Sequence, residues 1–139
     1  MFELVVVLDD DMARVNAALG LTPARMHLLW ELGQRGPVPQ RVLAEALKVT
    51  PRAVTGLVDA LVARELVTRE AHPSDRRATL VTLTAQGETL VAKLKRGHKD
   101  LARALFSSMS SGEFDSFSRS LAGLIDRLRK HLAASGGRS

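Results

Sequence analysis

The sequence predicts a mainly α-helical domain with one small β-hairpin near its middle. Three observations predict it. Thr22-Pro23 and Thr50-Pro51 each place a capping hydroxyl before a proline that suits the first helical position. Apolar residues recur at three- and four-residue spacing through most of the chain, the period of a helix with one buried face. Residues 66–71 and 78–83 break that period, alternating and rich in β-branched side chains as strands are.

Each element follows in order. Phe2 to Leu19 is predicted helical, although Val5-Val6-Val7 is a poor helix-forming run because β-branched side chains lose χ1 freedom there. Thr22 opens a second helix with Leu28, Leu29 and Leu32 on its apolar face, ended by the stretch from Gly33 to Gly36. Gly36-Pro37-Val38-Pro39 is a break with a short extended piece at Val38. A short helix over Gln40 to Leu47 puts Leu43, Ala44 and Leu47 on one side, and Lys48-Val49 makes a tight link. Thr50 caps the next helix, which carries Val54, Leu57, Val58, Leu61 and Val62 and runs to about Glu65. The two strands then enclose the polar loop His72-Pro73-Ser74-Asp75-Arg76-Arg77, so the hairpin has a long basic tip. Thr84 caps a helix with Leu90, Leu94, Leu101 and Leu105. Ser110-Ser111-Gly112-Glu113 is a capping box, in which Ser110 and Glu113 satisfy each other's backbone N–H groups. The last helix carries Phe114, Phe117, Leu121, Leu124 or Ile125, Leu128 and Leu132, a seam like that of a coiled coil. Residues 135–139 are predicted to be a flexible tail.

Composition narrows the function. A chain of 139 residues, 45% hydrophobic, is sized for a single domain with a real core. The absence of cysteine excludes disulfides, thiolate zinc sites and thiol redox sensing. His27, His72, His98 and His131 lack metal-ligand spacing, so neither a metal nor a cofactor is expected. The longest apolar run, Leu4 to Leu8, is far short of the roughly 18 residues of a membrane span. It has acidic flanks and no basic one, so a secretory signal is not expected and a cytoplasmic location is. No phosphate-binding Gly-rich loop, paired-carboxylate constellation or nucleophile–base pattern is visible, and an enzyme is not expected. Lys and Arg number 20 against 15 Asp and Glu, a net charge of +5 that points weakly to a polyanion. Ten of those basic residues lie in 85–139, where they serve solubility and long-range attraction.

The order short helix, tight turn, helix, two strands is a winged helix-turn-helix. In such a unit the second helix enters the DNA major groove with its N-terminal residues toward base edges. Here that end is Thr50, Pro51, Arg52, Ala53, Thr55 and Gly56. Arg52 has a fork of donors suited to guanine O6 and N7. Thr55 can offer a hydroxyl to a base or phosphate, or a methyl to thymine. Ala53 and Gly56 leave room for close approach. The helix alone is equally explained by Thr50 as a plain cap and Arg52 as a solvated side chain. The hairpin tip shifts the balance, because a guanidinium entering a narrow minor groove meets enhanced negative potential. Asp75 beside Arg76 and Arg77 makes sense as an acceptor that orients one of them.

At this point the chain resembles the MarR family of winged-helix transcription regulators. The resemblance rests on Leu21-Thr22, Leu43-Ala44, Val54-Thr55-Gly56-Leu57-Val58 with Leu61, and Leu66-Val67-Thr68-Arg69. Its most specific piece is Pro73-Ser74-Asp75-Arg76-Arg77, an Asp-x-Arg wing, followed by the Leu-Thr-x-x-Gly helix start of Leu83-Thr84-Ala85-Gln86-Gly87. It implies that Arg77 is the minor-groove arginine, Asp75 its supporting carboxylate and Arg76 a phosphate neighbour. It implies that Thr50, Arg52, Ala53, Thr55 and Gly56 lie near bases, and that Gln40 and Arg41 meet the DNA backbone. One departure is the segment before Leu21-Thr22, which is shorter than the family's and acidic.

The resemblance and the apolar seam together lead to a homodimer, with 1–20 and 85–134 as dimerisation helices and 21–84 as the DNA-binding region. The expected partner is then double-stranded DNA carrying a pseudo-palindromic operator, with half-sites roughly 10 bp apart. The expected role is a sequence-specific repressor released by a small-molecule effector. Met12, Met26, His27 and Trp30 are candidates for the effector pocket, with plain core packing as the competing explanation. The alternative function is a winged-helix protein–protein interaction module, which would use the same seam without needing the arginines on one surface.

Overall fold

The computed structural model describes residues 2–75 and 78–136. Its elements are α1 (Phe2–Leu19), α2 (Pro23–Arg35), β1 (Val38–Pro39), α3 (Gln40–Leu47), α4 (Pro51–Val62), β2 (Val67–Ala71), β3 (Thr79–Leu83), α5 (Ala85–Phe106) and α6 (Ser111–Gly136). The fold is therefore mainly helical, as the periodicity predicts. The described residues divide into two compact units, 1–95 and 96–139.

The predicted caps form. Thr22 Oγ1 accepts from Arg25 N at 3.4 Å, and Thr50 Oγ1 accepts from Ala53 N at 3.1 Å. Both helices carry proline in the first turn, where its missing N–H costs no helical hydrogen bond. The predicted hairpin is β2–β3, paired antiparallel from Val67 opposite Leu83 to Ala71 opposite Thr79. The extended piece at Val38 is a third strand: β1 pairs with β3 through Val38 opposite Val81 and Pro39 opposite Leu80. The sheet order is β1-β3-β2, with proline on an edge strand where its missing donor is tolerated.

The core of the first unit is aliphatic. Leu28, Leu29 and Leu32 of α2 meet Leu43 of α3, Val54, Val58 and Leu61 of α4, Val67 and Val81 of the sheet and Val91 of α5. Val15 and Leu19 of α1 pack against that cluster. The basic side chain missing from the last turn of α1 is supplied by Arg64, which donates to the carbonyls of Leu19, at 2.8 Å, and Gly20. Such a cation suits the negative end of the helix dipole.

The stretch from Gly33 to Gly36 ends α2 as expected, with Arg35 the last helical residue and Gly36 the cap. Gly33 is also a packing residue: a Cβ there would collide with the Val91 side chain of α5. Its carbonyl accepts from Lys95 Nζ at 2.7 Å. One expectation is corrected: α6 extends through Gly136, two residues into the stretch predicted to be a tail, and 137–139 lie outside the described residues.

In the second unit the capping box closes as its spacing predicts. Ser110 N donates to Glu113 Oε2 at 2.9 Å, and Glu113 N donates to Ser110 Oγ at 3.4 Å. The Ser110 hydroxyl and backbone N–H hold the Glu113 carboxyl below the usual carboxylate range. Phe106 stacks edge-on against Phe114, with ring centroids 5.4 Å apart. The rest of the seam is open: Leu121 is 39% exposed, Leu128 54% and Leu132 60%.

Glu65, in the turn between α4 and β2, has φ 56°, a left-handed conformation that strains any residue with a Cβ. Its carbonyl accepts from Thr84 Oγ1 at 2.5 Å, a bond that does not use its side chain. Glu65→Gly should therefore raise stability by about 1 kcal/mol. An unchanged urea midpoint would show that the strain is absent.

Candidate nucleic-acid interface

The candidate interface draws on the first turns of two helices. The tight link is set by Lys48, whose left-handed backbone (φ 54°) ends α3 and turns the chain directly into α4. Buried Val54, Val58 and Leu61 fix one side of α4 in the core. The opposite side, with Arg52, Ala53, Thr55 and Gly56, is left exposed. Arg52 forms no ion pair or side-chain hydrogen bond among the described residues, so its guanidinium is available to an external acceptor. Gly56 faces open space: a methyl added there would meet nothing within 4 Å.

A chain of hydrogen bonds locks this surface. Arg69 of β2 donates to Asp59 Oδ1 at 2.6 Å and to Gln40 Oε1 at 3.4 Å. Gln40 Nε2 donates to Thr55 Oγ1 at 2.6 Å, and Thr55 Oγ1 donates to the Pro51 carbonyl at 2.8 Å. Three elements, the start of α3, the face of α4 and the strand β2, are thereby pinned together. Arg69 and Asp59 were not among the sequence-derived candidates. They lie on different elements ten residues apart, and no local spacing rule joins them.

Thr50 proves to be a cap, as the simpler explanation holds, though its hydroxyl proton is not used by that bond. Arg41 stands exposed beside Gln40 at the start of α3. In the hairpin tip Asp75 is exposed, and its carbonyl accepts from Ala78 N at 3.0 Å. His72 Nδ1 lies 3.2 Å from Ser74 N, which braces the turn into the tip. Arg76 and Arg77 lie outside the described residues.

The effector candidates differ in exposure. Met26 is 6% exposed and belongs to the core, whereas Met12 is 43% exposed on α1. His27 is exposed, with Nε2 3.6 Å from Glu31 Oε1 on the next turn, and Trp30 is half-buried. Among the described residues no group of three His, Asp or Glu is placed to hold a metal ion. No described helix is long and apolar enough to cross a membrane.

The exposed glycine supplies a test that separates fold from interface. Gly56→Ala should stabilise the protein by about 1 kcal/mol, because alanine is the better helix former and the methyl meets nothing. The same methyl should weaken DNA binding if this face approaches a groove closely. Thermal melts and DNA titrations of one variant read the two effects separately. A more stable variant with undiminished DNA affinity would remove Gly56 from the interface.

Comparison with known proteins agrees with this architecture. Residues 21–79 match the family model described as the MarR family. The chain is 28% identical over 117 residues to YhbI of Bacillus subtilis, an HTH-type transcriptional regulator, spanning 84% of this chain and 75% of that one. It is 30% identical over 94 residues to MdtR of the same organism, an HTH-type transcriptional repressor, spanning 68% of this chain and 61% of that one. The fold is similar to that of FabT of Streptococcus pneumoniae, solved in complex with DNA, with a TM-score of 0.79 at 22% identity over 92% of this chain and 94% of that one. The capped helix pair, the wing and these matches make the chain a member of the MarR family of helix-turn-helix transcriptional regulators.

Proposed function

We propose that this regulator is a homodimeric repressor that binds a pseudo-palindromic double-stranded DNA operator and is released by a small molecule. The observation that carries the DNA-binding reading is the exposed first turn of α4, where Arg52 and Gly56 stand open. The Arg69–Gln40–Thr55 chain holds the helix face beside them in a fixed pose. A surface that meant only to be solvated would not need that bracing. Thr50, Arg52, Ala53, Thr55 and Gly56 form the major-groove part of the proposed site, Gln40 and Arg41 the part toward the DNA backbone, and Asp75, Arg76 and Arg77 the wing. The exposed seam of α6, from Phe114 to Leu132, supports the dimer, since apolar stripes of this length are seldom left in water. Effector release would act by population shift, a ligand favouring a dimer whose recognition helices no longer match the groove spacing. Met12, His27 and Trp30 are the pocket candidates with exposed surface.

The test is selection of bound sites from random duplexes, followed by titration of the selected site at several salt concentrations. A palindrome should emerge, and log K should fall by about 0.9 per neutralised phosphate for each unit of log salt. Sedimentation should give a dimer. The absence of any enriched site, or a binding constant indifferent to salt, would favour the protein-interaction module instead.

A further inference from the structure

We infer that Thr55 reads the 5-methyl group of a thymine, and that Gln40 is the positioning residue that turns that methyl outward. The inference rests on the DNA-binding role proposed above and names one specificity determinant within it. A threonine on a recognition helix has two chemistries to offer, a hydroxyl and a methyl. Here the hydroxyl is committed. Its single proton goes to the Pro51 carbonyl at 2.8 Å, and its oxygen accepts from Gln40 Nε2 at 2.6 Å.

The direction of each bond is fixed by chemistry. A guanidinium can only donate, so the Gln40 atom facing Arg69 at 3.4 Å must be the carbonyl oxygen. That leaves the amide nitrogen facing Thr55, and a nitrogen donor there forces the Thr55 oxygen to accept. The Thr55 proton must then leave by another direction, and Pro51 O lies at hydrogen-bond distance to take it. Arg69 is itself anchored on Asp59 at 2.6 Å. The order runs one way, Arg69 to Gln40 to Thr55 to Pro51. The residue is nevertheless exposed, so with its oxygen turned toward its own helix and α3 it presents the γ-methyl. Thymine is the one standard base with an apolar group in the major groove, and contact with that methyl distinguishes it. On this account Gln40 acts through Thr55 and is not primarily a contact to the DNA backbone.

Uracil supplies the matching deletion on the DNA side, because it keeps the pairing of thymine and lacks only the methyl. The experiment takes the selected operator, replaces its thymines one position at a time with deoxyuridine, and titrates the full-length protein and three variants. The parent should lose about fourfold in affinity per half-site at one position, the value of one buried methyl. Thr55→Ser, which keeps the hydroxyl, should bind thymine and uracil operators equally. Thr55→Val, which keeps the methyl and loses the hydroxyl, should retain the discrimination. Gln40→Ala should shrink the thymine-to-uracil ratio, whereas a purely structural role for Gln40 would weaken both operators alike and leave that ratio unchanged. The inference is overturned if no uracil position matters to the parent, if Thr55→Ser still discriminates, or if Thr55→Val loses the discrimination. Failure to select any operator would instead overturn the DNA-binding reading.

Discussion

Gly87→Ala should be among the most damaging single-methyl changes in this protein, costing about 3 kcal/mol or more. A Cβ at position 87 would fall inside the contact distance of the Leu66 carbonyl oxygen and 3.0 Å from the carbonyl carbon, with Leu83 Cδ2 at 3.2 Å. The leucine tip can give by a few tenths of an ångström, but a backbone carbonyl cannot rotate aside alone. That carbonyl also accepts from Thr84 N at 3.1 Å, so moving it strains the joint between β2 and α5. Thr84 Oγ1 donates to Glu65 O and accepts from Gly87 N at 3.1 Å, tying both sides of the joint. The melting temperature should fall by roughly 10 °C. Gly97→Ala is the control: it lies in the same helix, a methyl there meets nothing, and stability should hold or rise. Both should be measured at one protein concentration, since dimerisation would couple to unfolding. If Gly87→Ala lies within about 0.5 kcal/mol of the parent, the surface-substitution range, α5 does not approach Leu66 as closely as described.

This joint explains the Leu83-Thr84-x-x-Gly87 pattern that stands beside the wing in the sequence. Its threonine is an N-cap and its glycine makes room for a carbonyl, so the pattern is structural. Local chemistry of this kind was the most legible part of the fold. Caps, prolines and the Ser110–Glu113 box each act within four residues, and all formed where their spacing placed them. Gly33 shows the limit of local spacing, because a glycine near a helix end has two uses, stopping the helix or admitting a neighbour. Only the position of Val91, far along the chain, decides between them. The third strand was visible only as an extended piece at Val38, since two residues carry no alternation to recognise. The recognition-helix start was legible from Thr50-Pro51 and the arginine after it. Its bracing was not: Gln40, Thr55, Asp59 and Arg69 come from three elements, and their meeting is a property of the tertiary packing.

Arg52→Ala should cost about 1–3 kcal/mol of DNA affinity for each half-site, with no loss of fold stability. The side chain is exposed and makes no bond to the rest of the described protein, so its removal leaves nothing unsatisfied. Both copies of the proposed dimer are altered at once, which doubles the effect on a full operator relative to a half-site. Arg52→Lys separates charge from geometry. Lysine keeps the attraction to phosphate but lacks the planar fork that engages guanine O6 and N7 together. It should retain salt-dependent, nonspecific binding while losing preference at one base pair. Arg77→Ala, in the wing, should behave differently. A minor-groove arginine responds to groove width, so its loss should weaken binding most on operators with A·T-rich flanks and leave base preference under α4 intact. If Arg52→Ala and Arg52→Lys bind the selected operator as the parent does, the base-reading role moves off this helix start. If Arg52→Ala instead lowers the melting temperature, the guanidinium has an intramolecular partner and the arginine is structural.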